Sequence, residues 1–271
     1  MHKAYRKLTN LESVFEHRRF DPIKGQGAHP RLAPCILRSD RLGVFQMVMQ
    51  FDERQRSGPT IGAQVARGGP VVAFDFDGTL TTRDSFTDFL RWRDGAFSYG
   101  LGLARLAPAA LRWVGNRDRA QIKAAAVRTF LRGMPRALLE EEAHEFATLT
   151  APLLLRPDAL KVWRRHRSHG ARMVIVTASP EIVVAPFARG LGADVLIGTK
   201  LLFDQNDRVV GCFEGNNCHG PEKAKRLREV FGDDIRLHAA YGESIGDREM
   251  LDMADEKYMR LFVADPTRNP G

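Results

Sequence analysis

Cysteine is scarce in this chain. Cys35, Cys212 and Cys218 are too few and too scattered for a disulfide framework or a zinc site, so a reducing, cytoplasmic setting is expected. Long apolar runs are missing too. The most apolar long window, Phe97 to Val114, is broken by Arg105 and Arg112, and no run reaches the roughly 18 residues of a membrane span. The first residues lack the apolar core of a secretory signal. No membrane partner is therefore expected. The formal net charge is +8, with arginine far outnumbering lysine. Yet zinc-finger spacing, an aromatic RNA-binding signature and a concentrated basic run are all absent, so nucleic acid is not the expected partner. A positive field also draws in small anionic substrates.

What is present is organised around Val71 to Leu80, Val-Val-Ala-Phe-Asp-Phe-Asp-Gly-Thr-Leu. The stretch begins as a buried-strand run and ends in two aspartates one residue apart. Aspartate disfavours strands, and an unpaired buried carboxylate costs on the order of several kcal/mol. The pair therefore needs a compensating cation. With the strand ending at Asp75, that carboxylate faces a cleft while Gly78 lets the chain bend away. A plain polar strand end with a turn would explain this string alone, but later segments supply matching parts.

Residues 1–69 show little periodicity and scatter Gly25, Gly27, Pro30, Pro34 and Pro59 among basic residues. They read as a poorly ordered or accessory extension, with room for a short helix from Leu8 to Phe20. The composition shift would also suit a translation start at Met47 or Met49. Thr81 to Asp84 is a loop, and Ser85 to His169 is helical. Its apolar stripes are Phe86, Phe89, Leu90, then Ile122, Ala126, Phe130, then Leu139, Ala143, Phe146. Pro135 suits a helix first turn, Asp158 a cap, and Gly170 a helix end.

Arg172 to Thr177 is a second strand. Ser179-Pro180-Glu181 reads as N-cap, first-turn proline and acidic first turn of a helix to about Gly190. Val195 to Phe203 and Val209 to Phe213 flank the turn-rich Asp204 to Asp207 as a hairpin. A helix from Pro221 to Phe231, a strand from Leu237 to Tyr241, a helix from Gly246 to Ala254 and a strand from Tyr258 to Val263 complete the chain. The alternation predicts an α/β fold with a doubly wound parallel sheet. Ligands then sit beyond the carboxyl ends of the strands.

Four segments place polar groups there, and together they fit phosphoryl transfer. Asp75 is the candidate nucleophile and Asp77 the candidate general acid and base. The turn Gly78-Thr79 joins the phosphate cradle. Thr177 ends the second strand just before a helix, so its hydroxyl and the amides of Ala178 and Ser179 can hold phosphate oxygens. Taken alone, Thr177 would be a strand residue and Ser179 a cap. Lys223 lies in a helix first turn, where a cation opposes the helix dipole, which suits a lysine that neutralises the nucleophile and the transferring group. Lys225 is its competitor. Glu243 and Asp247, with Asp75, form an oxygen-only set suited to Mg²⁺. Arg119 and Arg128 are the candidates for meeting a substrate carboxylate. His219 beside Cys218 reads as a loop histidine.

Asp75-Phe76-Asp77-Gly78-Thr79 resembles the first motif of the haloacid dehalogenase-like (HAD) phosphohydrolases. The arrangement of about Val71 to Asp265 looks like their phosphoserine-phosphatase-like branch (subfamily IB). The resemblance implies a Rossmann-like core, residues 70–84 and 170–271, with a helical cap, residues 85–169, inserted after the first strand. It implies a Mg²⁺-dependent phosphomonoester hydrolase that works through an aspartyl-phosphate on a small phosphorylated metabolite. A cap of this kind excludes water and selects substrates. The resemblance gives Asp75 and Asp77 the roles stated above and adds the main-chain carbonyl of Asp77 as a metal ligand. It matches Thr177, Lys223 and the segment 241–247 to the second, third and fourth motifs. The family usually has aspartate where Glu243 stands, and the extra methylene moves that carboxylate. In phosphoserine phosphatases a glutamate at the place of Asp84 helps bind the substrate amino group. Asp84 is shorter, and would serve equally to cap a helix starting at Ser85. A HAD-type phosphotransferase and a catalytically silent phosphate-binding module are the rival readings. The resemblance fixes no oligomeric state.

Overall fold

Val71–Phe74 forms β1, and all four of its side chains are buried. The structure, a computed structural model, describes residues 68–116 and 119–267 without the side chains of 107–120. The readings of residues 1–67 and of the Arg119 side chain lie outside the described residues. β1 pairs in parallel with β2 (Arg172–Pro180) on one side and β5 (Leu237–Gly242) on the other. β3 (Val195–Phe203) extends the sheet beside β2, and β4 (Val209–Glu214) adds an antiparallel edge. β6 (Ala254–Met259) closes the far edge beside β5. The sheet order is β4-β3-β2-β1-β5-β6. The order reverses between β1 and β5, so the crevice at their carboxyl ends is the place where an open parallel sheet binds ligands. Asp75 sits there, its amide donating to the Tyr241 carbonyl at 2.9 Å.

Helices cover both faces. On one face Val72, Phe74, Met173, Ile175, Ala239 and Tyr241 pack in one cluster with helices Pro157–Ser168 and Glu181–Leu191. On the other, Val71, Ala73, Val174, Val176 and Ala240 pack with Leu227, Met250 and Leu251. In chain order the helices are α1 (Ser85–Asn116), α2 (Arg119–Phe130), α3 (Arg136–Leu154), α4 (Pro157–Ser168), α5 (Glu181–Leu191), α6 (Pro221–Phe231) and α7 (Arg248–Leu251). Phe74 is the centre of an aromatic run. Its ring lies 5.1 Å from Trp163 and 4.3 Å from Tyr241, which stacks 4.7 Å from Tyr258.

The segments into and out of α1–α3 run side by side. Thr81 bridges Leu155, the Thr82 amide donates to the Leu154 carbonyl at 2.9 Å, and the Arg156 amide donates to the Leu80 carbonyl at 2.9 Å. The apolar stripes read from the sequence face inward. Phe86, Phe89, Leu90, Ala126, Phe130, Leu139, Ala143 and Phe146 are buried, while Ile122 is half-buried. α1 is broken at Gly95, whose φ of +72° costs glycine nothing and other residues strain.

Several local readings need correction. The last strand is Ala254–Met259, not Tyr258 to Val263. It is an edge strand, so one paired side fixes it while Asp255, Glu256 and Lys257 stay exposed. Of the apolar trio read as strand, only Phe262 is buried; Val263 is 81% exposed. The helix expected from Gly246 starts with a 3₁₀ turn, Ile245–Asp247, and α7 runs only to Leu251. The Ser244 hydroxyl caps that turn by accepting from the Gly246 amide. Asp158 lies inside α4, and its Oδ2 accepts from the amides of Val263 and Ala264 at 2.8 and 3.0 Å. Pro135 sits just before α3 rather than in its first turn.

Trp163 is 1% exposed and its Nε1 donates to the Leu191 carbonyl at 3.1 Å. Trp163→Ala is expected to lower unfolding free energy by about 3–5 kcal/mol. Leu138→Ala, at a site 42% exposed, is expected to stay within about 0.5 kcal/mol of the parent. Urea unfolding of the two variants checks the contrast.

Candidate active site

The centre of the site is an ammonium with no unused donor. Lys223 Nζ donates to Asp75 Oδ1 at 2.6 Å, Asp247 Oδ1 at 2.6 Å and the Val176 carbonyl at 2.9 Å. A lysine has three N–H donors, and all three are engaged. Lys223 is 1% exposed although it lies in the first turn of α6. Lys225, the competing lysine, pairs on the surface with Glu222 and Glu229.

Asp75 and Asp247 share one ammonium, yet burial treats them differently. Burial raises the Asp75 carboxyl and outweighs Lys223, so its pKa is pushed up to about 6. At Asp247 burial also raises the pKa, but Lys223 and the amides of Ser244 and Glu243 overcome it, and the net shift is downward. The Asp247 Oδ2 accepts from the Glu243 and Ser244 amides at 3.1 and 2.8 Å. Burial alone would discharge Lys223, but the two carboxylates hold its pKa well above the usual lysine range. The other oxygen of Asp75 accepts from the Thr79 hydroxyl at 3.0 Å.

Asp77 faces away from this ammonium. Its Oδ1 accepts from the Ser85 amide at 2.7 Å and its Oδ2 from the Ser179 hydroxyl at 2.5 Å, with the Thr177 hydroxyl at 3.5 Å. Its pKa is raised by burial first and by Asp84 next, against Lys123 and the two serines. A carboxyl held toward its protonated form suits proton donation.

Thr177 is buried, and its Oγ1 accepts from the Ser179 amide at 3.0 Å. Ser179 is not a helix cap as the sequence suggested. β2 runs to Pro180, which itself precedes α5, and the Ser179 hydroxyl serves Asp77 instead. The Ala178 carbonyl accepts from the Lys123 Nζ at 3.2 Å and the Thr199 hydroxyl at 3.0 Å. Asp84 caps α1, its Oδ1 accepting from the Thr87 amide at 2.7 Å. It also acts electrostatically on Asp77.

Gly78 has a φ of +84°, and a Cβ there would lie 2.8 Å from Glu243 Cγ. The Glu243 stem thus covers the turn after Asp77. Its side chain is 37% exposed, with Oε1 3.8 Å from Arg260 Nε. Gly242 lets Asp247 fold back, since a Cβ there would lie 2.6 Å from the Asp247 Cβ. Among the described residues, no three His, Cys, Asp or Glu side chains converge closely enough to hold a metal ion by themselves. Asp75 and Asp247 are gathered by Lys223, while Glu243 lies to one side. An oxygen-only set with few side-chain ligands fits Mg²⁺, which keeps several waters and takes one or two carboxylates.

Two residues were not found from sequence. Lys123, on α2, brings a cation to the end of β2. Arg156 Nε donates to the carbonyls of Gly78 and Thr81, and its Nη1 to that of Ala264. Lys123 is the one lysine of its helix, which was a usable signal; nothing in the sequence marked Arg156. Arg128 is exposed where α2 crosses Gly211. His219 packs over Gly246.

Comparison with known proteins places the fold. The chain is 57% identical over 196 residues to protein CicA of Caulobacter vibrioides, covering 72% of this chain and 88% of that one. It is 29% identical to a phosphoserine phosphatase of Halobacterium salinarum, over 68% and 82% of the two chains. A protein of unknown function from Bordetella pertussis shares the fold with a TM-score of 0.55 at 24% identity, covering 67% and 85%. A substrate-bound phosphoserine phosphatase does so with a TM-score of 0.51 at 18% identity, covering 71% and 86%. The haloacid dehalogenase-like hydrolase model matches residues 72–252, and the chain belongs to that family, with the fold of its phosphoserine-phosphatase-like branch.

Proposed function

We propose that this protein is a Mg²⁺-dependent phosphomonoester hydrolase working through an aspartyl-phosphate. One observation carries the reading: a buried carboxylate at the switch point of the sheet, Asp75, held by Lys223 on one oxygen and Thr79 on the other. The clamp fixes the carboxylate for in-line attack on phosphorus. Asp75 forms the new P–O bond while the ester oxygen leaves. Asp77 delivers a proton to that oxygen and later takes one from the water that cleaves the acyl phosphate. Lys223 spreads positive charge over the nucleophile and the transferring group. The Ala178 amide and the Thr177 hydroxyl, at the approach to α5, cradle the phosphoryl oxygens, while the Ser179 amide holds Thr177 Oγ1.

Asp75, the Asp77 main-chain carbonyl and Asp247 are the residues that would hold Mg²⁺; Glu243, expected as a further ligand, does not converge with the two aspartates and stays outside that set. When bound, the ion supplies charge neutralisation between a carboxylate nucleophile and an anionic ester. The substrate class is a small phosphorylated metabolite. The phosphoserine phosphatase named above supports a phosphoserine-like one, and Lys123 and Asp84 give the site one cation and one anion at the side of the inserted helices.

Asp75→Asn is expected to lower turnover of an aryl phosphate by on the order of 10³-fold or more while unfolding stays cooperative; full activity in that variant would refute the nucleophile. Asp77→Asn is expected to cost about 10²–10⁴-fold on alkyl esters and much less on nitrophenyl esters, whose leaving group needs no proton. A leaving-group series measures the difference, and equal losses on all esters would remove Asp77 from that role. Chelation is expected to abolish turnover and added Mg²⁺ to restore it. Activity that persists in excess chelator would end the metal assignment.

A further inference from the structure

The stretch of α1 after its break, residues 96–106, is apolar on more sides than its packing uses. Its inward side is accounted for. Tyr99 stacks on Phe130 at 5.5 Å, a Cβ on Gly102 would run into the same ring, and Leu106 packs against the core. The other sides carry more apolar residues. Phe97 is 84% exposed, Leu101 51% and Leu103 45%. Phe97 and Leu101 are one helical turn apart, so they share a face. A helix needs one apolar side to join a protein core; one that is apolar all round is buried in something else.

Charge decides what covers it. Between Asp94 and Asp118 the sequence has no acidic residue, and its charged residues are Arg105, Arg112 and Arg117. Two copies meeting through this face would bring arginines together with no carboxylate on the segment to receive them. An anionic bilayer surface supplies the missing partner for both features. The apolar side chains enter the headgroup boundary, and the exposed Arg105 meets lipid phosphates. No helix among the described residues is long and apolar enough to cross a membrane.

We propose that this segment of α1 docks the protein on an anionic lipid surface. The expectation of no membrane partner came from the lack of a spanning run, and lying on a membrane requires none. The docking does not rest on the phosphatase reading, because the exposed residues are outside the catalytic site.

The test is flotation of the full chain with vesicles of phosphatidylcholine, with and without phosphatidylglycerol. Wild type is expected to float with the anionic vesicles and far less with the neutral ones. Phe97→Glu combined with Leu101→Glu is expected to lower the bound fraction by about tenfold or more, with turnover of a soluble aryl phosphate unchanged. Wild type that stays unbound, or binding that survives the double substitution, overturns the proposal; the second result would assign binding to another basic part of the chain. Light scattering run in parallel identifies the competing occupant. An oligomer dissolved by the double substitution, without vesicle binding, makes a second copy the partner and equally overturns the docking.

Discussion

The interaction on which the rest depends is the Lys223 ammonium between two buried carboxylates. It joins four elements at one point: the end of β1 through Asp75, the loop after β5 through Asp247, β2 through the Val176 carbonyl, and α6, which carries the lysine. Buried ion pairs of this kind add little to stability, because desolvation offsets the attraction. The first turn of a helix is also a poor place for a cation. Both facts argue that the arrangement is kept for what it does to Asp75. Two carboxylates against one ammonium leave a negative excess, which a divalent cation would relieve.

Around this point the two aspartates of the first motif are separated by their partners. Asp75 looks toward Lys223 and Thr79. Asp77, two residues on, looks toward Ser85 and Ser179. Just after Asp77 the chain turns at Gly78, at positive φ beneath the Glu243 stem. One carboxylate is thus tied to the sheet, and the other is tied to the start of the inserted helices. That coupling links the second carboxylate to the inserted helices, which also bring Lys123 to act on it.

The sheet and most helices were legible because their signals are strong: apolar runs at β1 and β2, stripes of period 3.6 in α2 and α3, turn residues between β3 and β4. The site was legible where chemistry forbids a cheaper reading, as with a carboxylate pair at a core strand end or a lysine against a helix dipole. The misreadings share a cause. β6 is an edge strand fixed by backbone pairing, and its charged side chains hide it from a search for apolar residues. Ser179 has the composition of a cap, but a buried carboxyl 102 residues away outbid the local backbone for its hydroxyl. Asp158 likewise reaches across to residues 263 and 264. Arg156 acts only through carbonyls distant in sequence. Such long-range partners leave no local trace, whereas the cap made by Asp84 was readable from the residues beside it.

The paired segments at Thr81–Thr82 and Leu154–Arg156 set the terms on which the inserted helices are attached. Chain departure and chain return are hydrogen-bonded neighbours, about one strand spacing apart. Whatever is built between them, its two ends must meet the same fixed socket. The outer helices can therefore be lengthened, shortened or re-surfaced over evolutionary time while the strand that ends at Asp75 stays in place; Asp77, bonded to the Ser85 amide, is the acidic residue that feels such a change. A single scaffold of this kind can serve many substrates, and many places in the cell, by changing what it wears on top.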